Sequence, residues 1–183
     1  MHLDPNSGWI DGVLQIPSPN YSSRPETAEI ELVVIHNISL PPQEYGGDWI
    51  SDLFCNRLNP DAHPYFKEIA HLKVSSHLLI RRDGSIIQYV PFTKAAWHAG
   101  QSCFNGRERC NEFSIGIELE GSDFDPFSEK QYEKLIKITN LLISHYPCIK
   151  KGCIAGHSDI APNRKTDPGP YFDWERFNKN LKW

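Results

Sequence analysis

Dense apolar runs separated by turn-rich polar stretches set the framework of the chain. The run Ile30 to Ile35 (IELVVI) is the most strand-like and ends in His36, followed by Asn37. A buried strand that terminates in polar, metal-competent side chains delivers them to the sheet edge where α/β proteins build their sites. Two further runs, Leu78 to Ile80 and Ile86 to Val90, flank the turn dipeptide Asp83-Gly84 and predict a tight hairpin. Phe113 to Leu119 (FSIGIEL) predicts another strand, with Glu118 and Glu120 at its end, and Cys153 to Ala155 a short buried strand leading to His157.

Helical spacing is clearest from Ser128 to Tyr146. Ser128 and Gln131 form a capping box, while Tyr132, Leu135, Ile136, Ile138, Leu142 and Ile143 make a broad apolar face that ends before Pro147. Shorter amphipathic segments are expected over Trp49 to Leu58 and over Asp173 to Leu181, the latter docked by Trp174 and Phe177. Residues 1–28, rich in Pro, Ser and Asn, are expected to be irregular chain covering the sheet. Strands interleaved with one long helix and two short ones predict a single α/β domain over residues 1–183, with a mixed central sheet and helices on its faces.

Composition narrows the partners. A formal net charge of -4 gives no basic footprint for nucleic acid. No window approaches the 18 or so consecutive apolar residues of a membrane span. The opening MHLDPNSGWIDGVLQIPSPNY lacks a basic stretch followed by an apolar one, so no secretory signal is visible and a cytoplasmic protein is expected; a monomer is expected as well. Five cysteines, an odd number without a C-x-x-C pair, read as free thiols of a reducing compartment, Cys153 among them as a small hydrophobe.

The chemistry concentrates in Gly156 to Pro170, GHSDIAPNRKTDPGP. His157 after an apolar run and Asp167 before Pro168 and Gly169 suit zinc, which binds imidazole nitrogen or carboxylate oxygen at about 2.0–2.2 Å. A catalytic site keeps three protein ligands and one open position, so a third ligand must come from elsewhere, and His36 is the best placed. His77 at the hairpin and His98 in AWHAG compete for that role and are otherwise lining or supporting residues. Alternation puts Glu118 and Glu120 on one face, and pattern alone does not choose between them. Glu118, set between Ile117 and Leu119, is the more deeply embedded. Lys165 on base rates is a solvated loop charge, and Trp97 is equally a ligand-facing ring or core filler. Neither an H-E-x-x-H helix nor a G-x-S-x-G elbow is present.

Four runs in order, LVVIHNISLPP, AWHAG, NEFSIGIELEG and GHSDIAPNRKTDPGP, resemble the zinc-dependent N-acetylmuramoyl-L-alanine amidases over about Ile16 to Phe177. Within that superfamily the likeness is to the cytoplasmic 1,6-anhydro-muramoyl-peptide amidases of cell-wall recycling. The resemblance implies the amidase fold and a zinc ion on His36, His157 and Asp167. It also implies Glu118 as the catalytic glutamate and Lys165 as the catalytic lysine. Asn37, Lys73, Trp97 and Arg109 are implied as contacts to a soluble muropeptide, with Lys73 standing where close relatives are expected to carry arginine. The bond implied joins the lactyl group of muramic acid to L-alanine of the stem peptide. Two rival readings are a lytic amidase of intact peptidoglycan and a muropeptide-binding module that does not cut.

Overall fold

Strand formation follows the apolar runs with shifted ends: Leu32–Ile38 and Ser114–Glu120 run past Ile35 and Leu119, whereas Ile86–Gln88 stops short of Val90. The computed structural model describes all of residues 1–183. Its strands are β1 (Leu14–Gln15), β2 (Tyr21–Ser23), β3 (Leu32–Ile38), β4 (Leu78–Ile80), β5 (Ile86–Gln88), β6 (Lys94–Ala96), β7 (Cys103–Phe104), β8 (Arg107–Glu108), β9 (Ser114–Glu120) and β10 (Ile154–Gly156). Its helices are α1 (Trp49–Phe54), α2 (Phe66–Ile69), α3 (Glu129–His145), α4 (His157–Ile160) and α5 (Trp174–Lys179).

Six strands form a mixed sheet in the order β1-β5-β4-β9-β3-β10. The β4–β5 hairpin is antiparallel, and every other pairing in the sheet is parallel. Alternation then sorts side chains between two faces. Val33, Ile35, Ile115, Ile117 and Leu119 point to the face covered by α3 and α5, where Leu135, Ile138, Leu142 and Phe177 complete the largest apolar cluster. Leu79 and Ile87 point the other way, toward Ile50, Leu53 and Phe54 of α1 and toward Phe66. Leu32 and Val34 lie in a third cluster with Ala155 and Ile160, next to the site.

The long helix has the expected capping box, and its buried Gln131 donates to Ile80 O at 3.2 Å and Glu120 O at 2.8 Å. The N-terminal segment departs from the expectation of irregular chain. Leu14–Gln15 adds to the edge strand β5, Tyr21–Ser23 pairs with β6, and Leu3 bridges Ile10. Exposed backbone groups on β5 and β6 offered pairing that local composition did not reveal. Arg24 fixes the end of this segment, donating to Phe92 O, Asn111 O, Glu112 O and Ser114 O. The segment expected to be helical to Leu58 ends at Phe54, with Cys55 N bonded to Ser51 O. No helix is long and apolar enough to cross a membrane.

Candidate active site

Three parallel strands carry the site to their carboxyl ends, the usual place for ligand binding in open α/β sheets. His36 lies within β3, two residues before the strand ends at Ile38, rather than closing it. His157, by contrast, is not a strand residue: β10 stops at Gly156 and His157 opens α4. Register sets His36 directly opposite Glu118, and Gly156 opposite Ile35. Asp167 comes from the loop after α4, and its carbonyl accepts from Ser158 N at 2.9 Å.

The three expected ligands meet. His36 Nδ1 is 3.0 Å from His157 Nδ1 and 3.0 Å from Asp167 Oδ2, and His157 Nδ1 is 3.1 Å from Asp167 Oδ2. Donors at tetrahedral bond lengths would be about 3.3 Å apart, close to this triangle. His157 Nε2 faces the carbonyl of Ala99 at 3.1 Å. A carbonyl only accepts, so Nε2 carries the proton and Nδ1 of the neutral ring presents a lone pair to the other donors. Lone pairs and a carboxylate gathered this closely call for a positive centre between them, and the donor set fits a divalent cation. No other trio of His, Cys, Asp or Glu side chains is gathered this way.

Electrostatics sharpen the contrast between the two carboxyls. Burial would raise Asp167, yet the His157 and His36 rings beside it outweigh that and hold its carboxyl well below the usual range. Burial lowers His36, and lowers His98 further, with neighbouring histidines adding to the effect on His98. Glu118 is pushed well above its ordinary value, first by burial and then by Asp167, with Lys165 opposing. It is 8 % exposed and its Oε2 has no hydrogen-bond partner. Glu120 differs: its two oxygens accept from Gly46 N and Arg82 N at 2.7 and 3.0 Å, a structural role that separates it from Glu118.

These groups border an open cleft of about 550 Å³. One wall is apolar, with Leu53, Phe54, Tyr65, Ile69 and Val74; Trp97 lies on the cleft and Lys165 is exposed along it. Asn37 also lines it, donating to Asp123 Oδ1 at 2.7 Å. Lys73 and Arg109 do not line this cleft. Lys73 is exposed beside the lining residues Leu72 and Val74. Arg109 pairs with Glu112 at 2.6 Å and borders a separate hollow of about 380 Å³ that meets the cleft at Arg164. Sequence reasoning missed Arg164, which donates to Ala99 O and Gln101 O at 2.6 Å and so braces the carbonyl that His157 uses. Its adjacency to Lys165 in the loop was the one available signal. All five cysteines are free, and Cys153 is half-buried against the main core.

A mixed α/β sheet that gathers two imidazoles and a carboxylate beside a buried, unpartnered glutamate is the arrangement of a hydrolase with a candidate cation site. Residues 26–170 match the Amidase_2 family, N-acetylmuramoyl-L-alanine amidase, and the chain belongs to that family. It is similar to the 1,6-anhydro-N-acetylmuramyl-L-alanine amidase AmpD of Escherichia coli (strain K12), 59% identical over 170 residues, 93% of this chain and 92% of that protein. A crystal structure of a selenomethionine AmpD derivative superimposes with a TM-score of 0.95 at 56% identity, covering 100% of both chains. The amidase AmiD from E. coli, solved in complex with the substrate anhydro-N-acetylmuramic acid-L-Ala-D-gamma-Glu-L-Lys, gives a TM-score of 0.64 at 31% identity, covering 88% of this chain and 62% of that one. The chain is therefore an N-acetylmuramoyl-L-alanine amidase in fold and activity.

Proposed function

We propose that this amidase is a zinc enzyme of the cytoplasm that cleaves the bond between the lactyl group of 1,6-anhydro-N-acetylmuramic acid and L-alanine, in peptidoglycan recycling. The observation that carries the reading is the donor triangle of His36, His157 and Asp167, with edges of 3.0–3.1 Å, beside the unpartnered carboxyl of Glu118. The similarity to AmpD over nearly the whole chain supports the anhydro-muropeptide substrate. Five free cysteines support a reducing compartment. The protein acts as a monomeric domain spanning residues 1–183 on a soluble muropeptide.

His36, His157 and Asp167 would hold a zinc ion that, when bound, would supply Lewis-acid polarisation of an amide carbonyl and a more acidic water. Glu118 takes a proton from the attacking water and delivers it to the leaving nitrogen, so that the C–N bond breaks and the peptide departs with a free amine. Its burial suits the first half of that task, since a raised pKa makes the carboxylate a stronger base toward the water and keeps the proton it gains available for the leaving nitrogen. Lys165 donates to the carbonyl oxygen as negative charge develops there. Trp97 offers its ring to the sugar or the peptide, and Asn37 a polar contact at the cleft floor. Lys73 and Arg109 serve parts of the substrate that extend beyond the cleft, Arg109 by pairing with a peptide carboxylate.

Hydrolysis of a purified 1,6-anhydro-muramoyl tripeptide, read by mass before chelation, after it, and after zinc is restored, tests the reading. Chelator-sensitive release of free tripeptide, recovered with zinc, is expected. Tight binding without cleavage would move the protein to muropeptide recognition. Equal rates on intact sacculi would replace the recycling role with a lytic one.

A further inference from the structure

The hydrogen-bond chain behind His36 fixes where its protons lie, and it can be read from its far end inward. Ser114 Oγ is 2.6 Å from the carbonyl of Cys110, which can only accept, so the hydroxyl proton is committed there. The same oxygen is 3.0 Å from His98 Nε2 and must therefore accept from it. A neutral His98 with its proton on Nε2 carries a lone pair on Nδ1, and that atom is 2.9 Å from His36 Nε2. His36 then donates from Nε2, and its Nδ1 is left as a lone pair facing His157 and Asp167.

Neither His98 nor its anchor is free to rearrange. The ring lies against β9 where Gly116 gives it room: a Cβ there would sit 2.5 Å from His98 Cγ. The backbone on either side is clamped by Asn111 Oδ1, which accepts from His98 N at 3.2 Å and Ala99 N at 2.8 Å. His98 is 9 % exposed and Ser114 is fully buried, so water does not compete for these bonds.

We propose that His98 is a positioning residue that holds His36 as its Nε2–H tautomer, keeping Nδ1 available to the ion. The inference rests on the zinc reading above. A neutral imidazole without this acceptor would place its proton on Nδ1 instead, where Asp167 Oδ2 at 3.0 Å accepts it and the proton takes the place of the metal. The adjacent carbonyl of Ala99 does the same service for His157. One short segment, Trp97 to Gly100, thus orients both histidine ligands, by a side chain in one case and by the backbone in the other.

Zinc affinity of metal-free protein, measured by competition with a chromophoric chelator, separates the acceptor from mere packing. His98→Asn places an amide oxygen near the position of Nδ1, whereas His98→Gln and His98→Ala do not. His98→Ala and His98→Gln are expected to bind zinc about 10–100-fold more weakly than the parent, and His98→Asn within about threefold of it. Parent-like affinity in His98→Ala and His98→Gln overturns the inference, and so does a loss in His98→Asn as large as in His98→Ala. Should the variants fail to fold, imidazole ¹⁵N NMR of the zinc-loaded parent decides: protons on Nε2 of both His36 and His98 are expected, and a proton on His98 Nδ1 overturns the inference. A parent that binds no zinc overturns the metal reading itself and this inference with it, an outcome distinct from a parent that binds and variants that match it.

Discussion

A carboxyl with a buried oxygen and no hydrogen-bond partner, as at Glu118, is costly to ionise in the folded protein. Its folded pKa lies above the unfolded value of 4.5. The stability it contributes is therefore present below that value and is lost as pH rises toward the folded pKa. Glu118→Gln removes this loss, so the metal-free variant is expected to melt above the parent near about pH 8 and to converge with it near about pH 4. Its amidase rate should fall by about 10²–10⁴-fold. A variant that melts below the parent at the higher pH would show that Glu118 is held ionised by contacts that stabilise the fold. At this scale His36, His157 and Asp167, singled out by residue type, lie together, and Glu118 separates from Glu120. Pattern could not make that last choice, because both carboxyls share a face and only their hydrogen-bond partners differ.

Among the elements, α3 is the one whose extent was most legible, since its cap residues and its apolar stripe are both local. Its attachment to the sheet was not legible. Gln131 is fully buried and bridges carbonyls of β4 and β9 while completing the capping box with Ser128. Gln131→Leu leaves those carbonyls without donors, each at a cost of about 1–3 kcal/mol. Urea denaturation is expected to show a loss of at least about 2 kcal/mol, with kcat/KM unchanged while the protein remains folded. A loss below about 0.5 kcal/mol would mean that water reaches the freed carbonyls. The termini of strands were less legible for the converse reason: β3 runs on through Asn37 and Ile38 because β9 pairs with it residue for residue, a partner more than 70 positions away.

For the molecule as a whole, a half-buried cation reinforces the strand pairings that tie down the N-terminal segment. Arg24 donates to four carbonyls, of Phe92 before β6, of Asn111 and Glu112 before β9 and of Ser114 at the start of β9, and burial lowers its pKa to about 10. Two of those carbonyls, of Asn111 and Ser114, belong to residues that support His98, so the segment braces the site from behind. Arg24→Met is expected to lower stability by more than about 3 kcal/mol, given hydrogen bonds to a charged group worth about 1.5–3 kcal/mol each. Hydrogen exchange should show faster exchange in β2 and β6 before any other strand. Unchanged protection there would assign the anchoring to strand pairing alone.

The sequence by itself determined the periodic core, the hairpin, the capped helix, and which candidate side chains have metal-binding or proton-carrying chemistry. Those properties depend on residue type and on neighbours a few positions away, which is what a linear pattern records. Only the tertiary structure decided that residues 1–28 contribute strands, that His98 rather than His77 touches His36, that Arg164 braces Ala99, and that Lys73 and Arg109 stand outside the cleft. Each of these is a pairing between groups far apart in the chain, settled by strand register and by which backbone carbonyls are left to be satisfied.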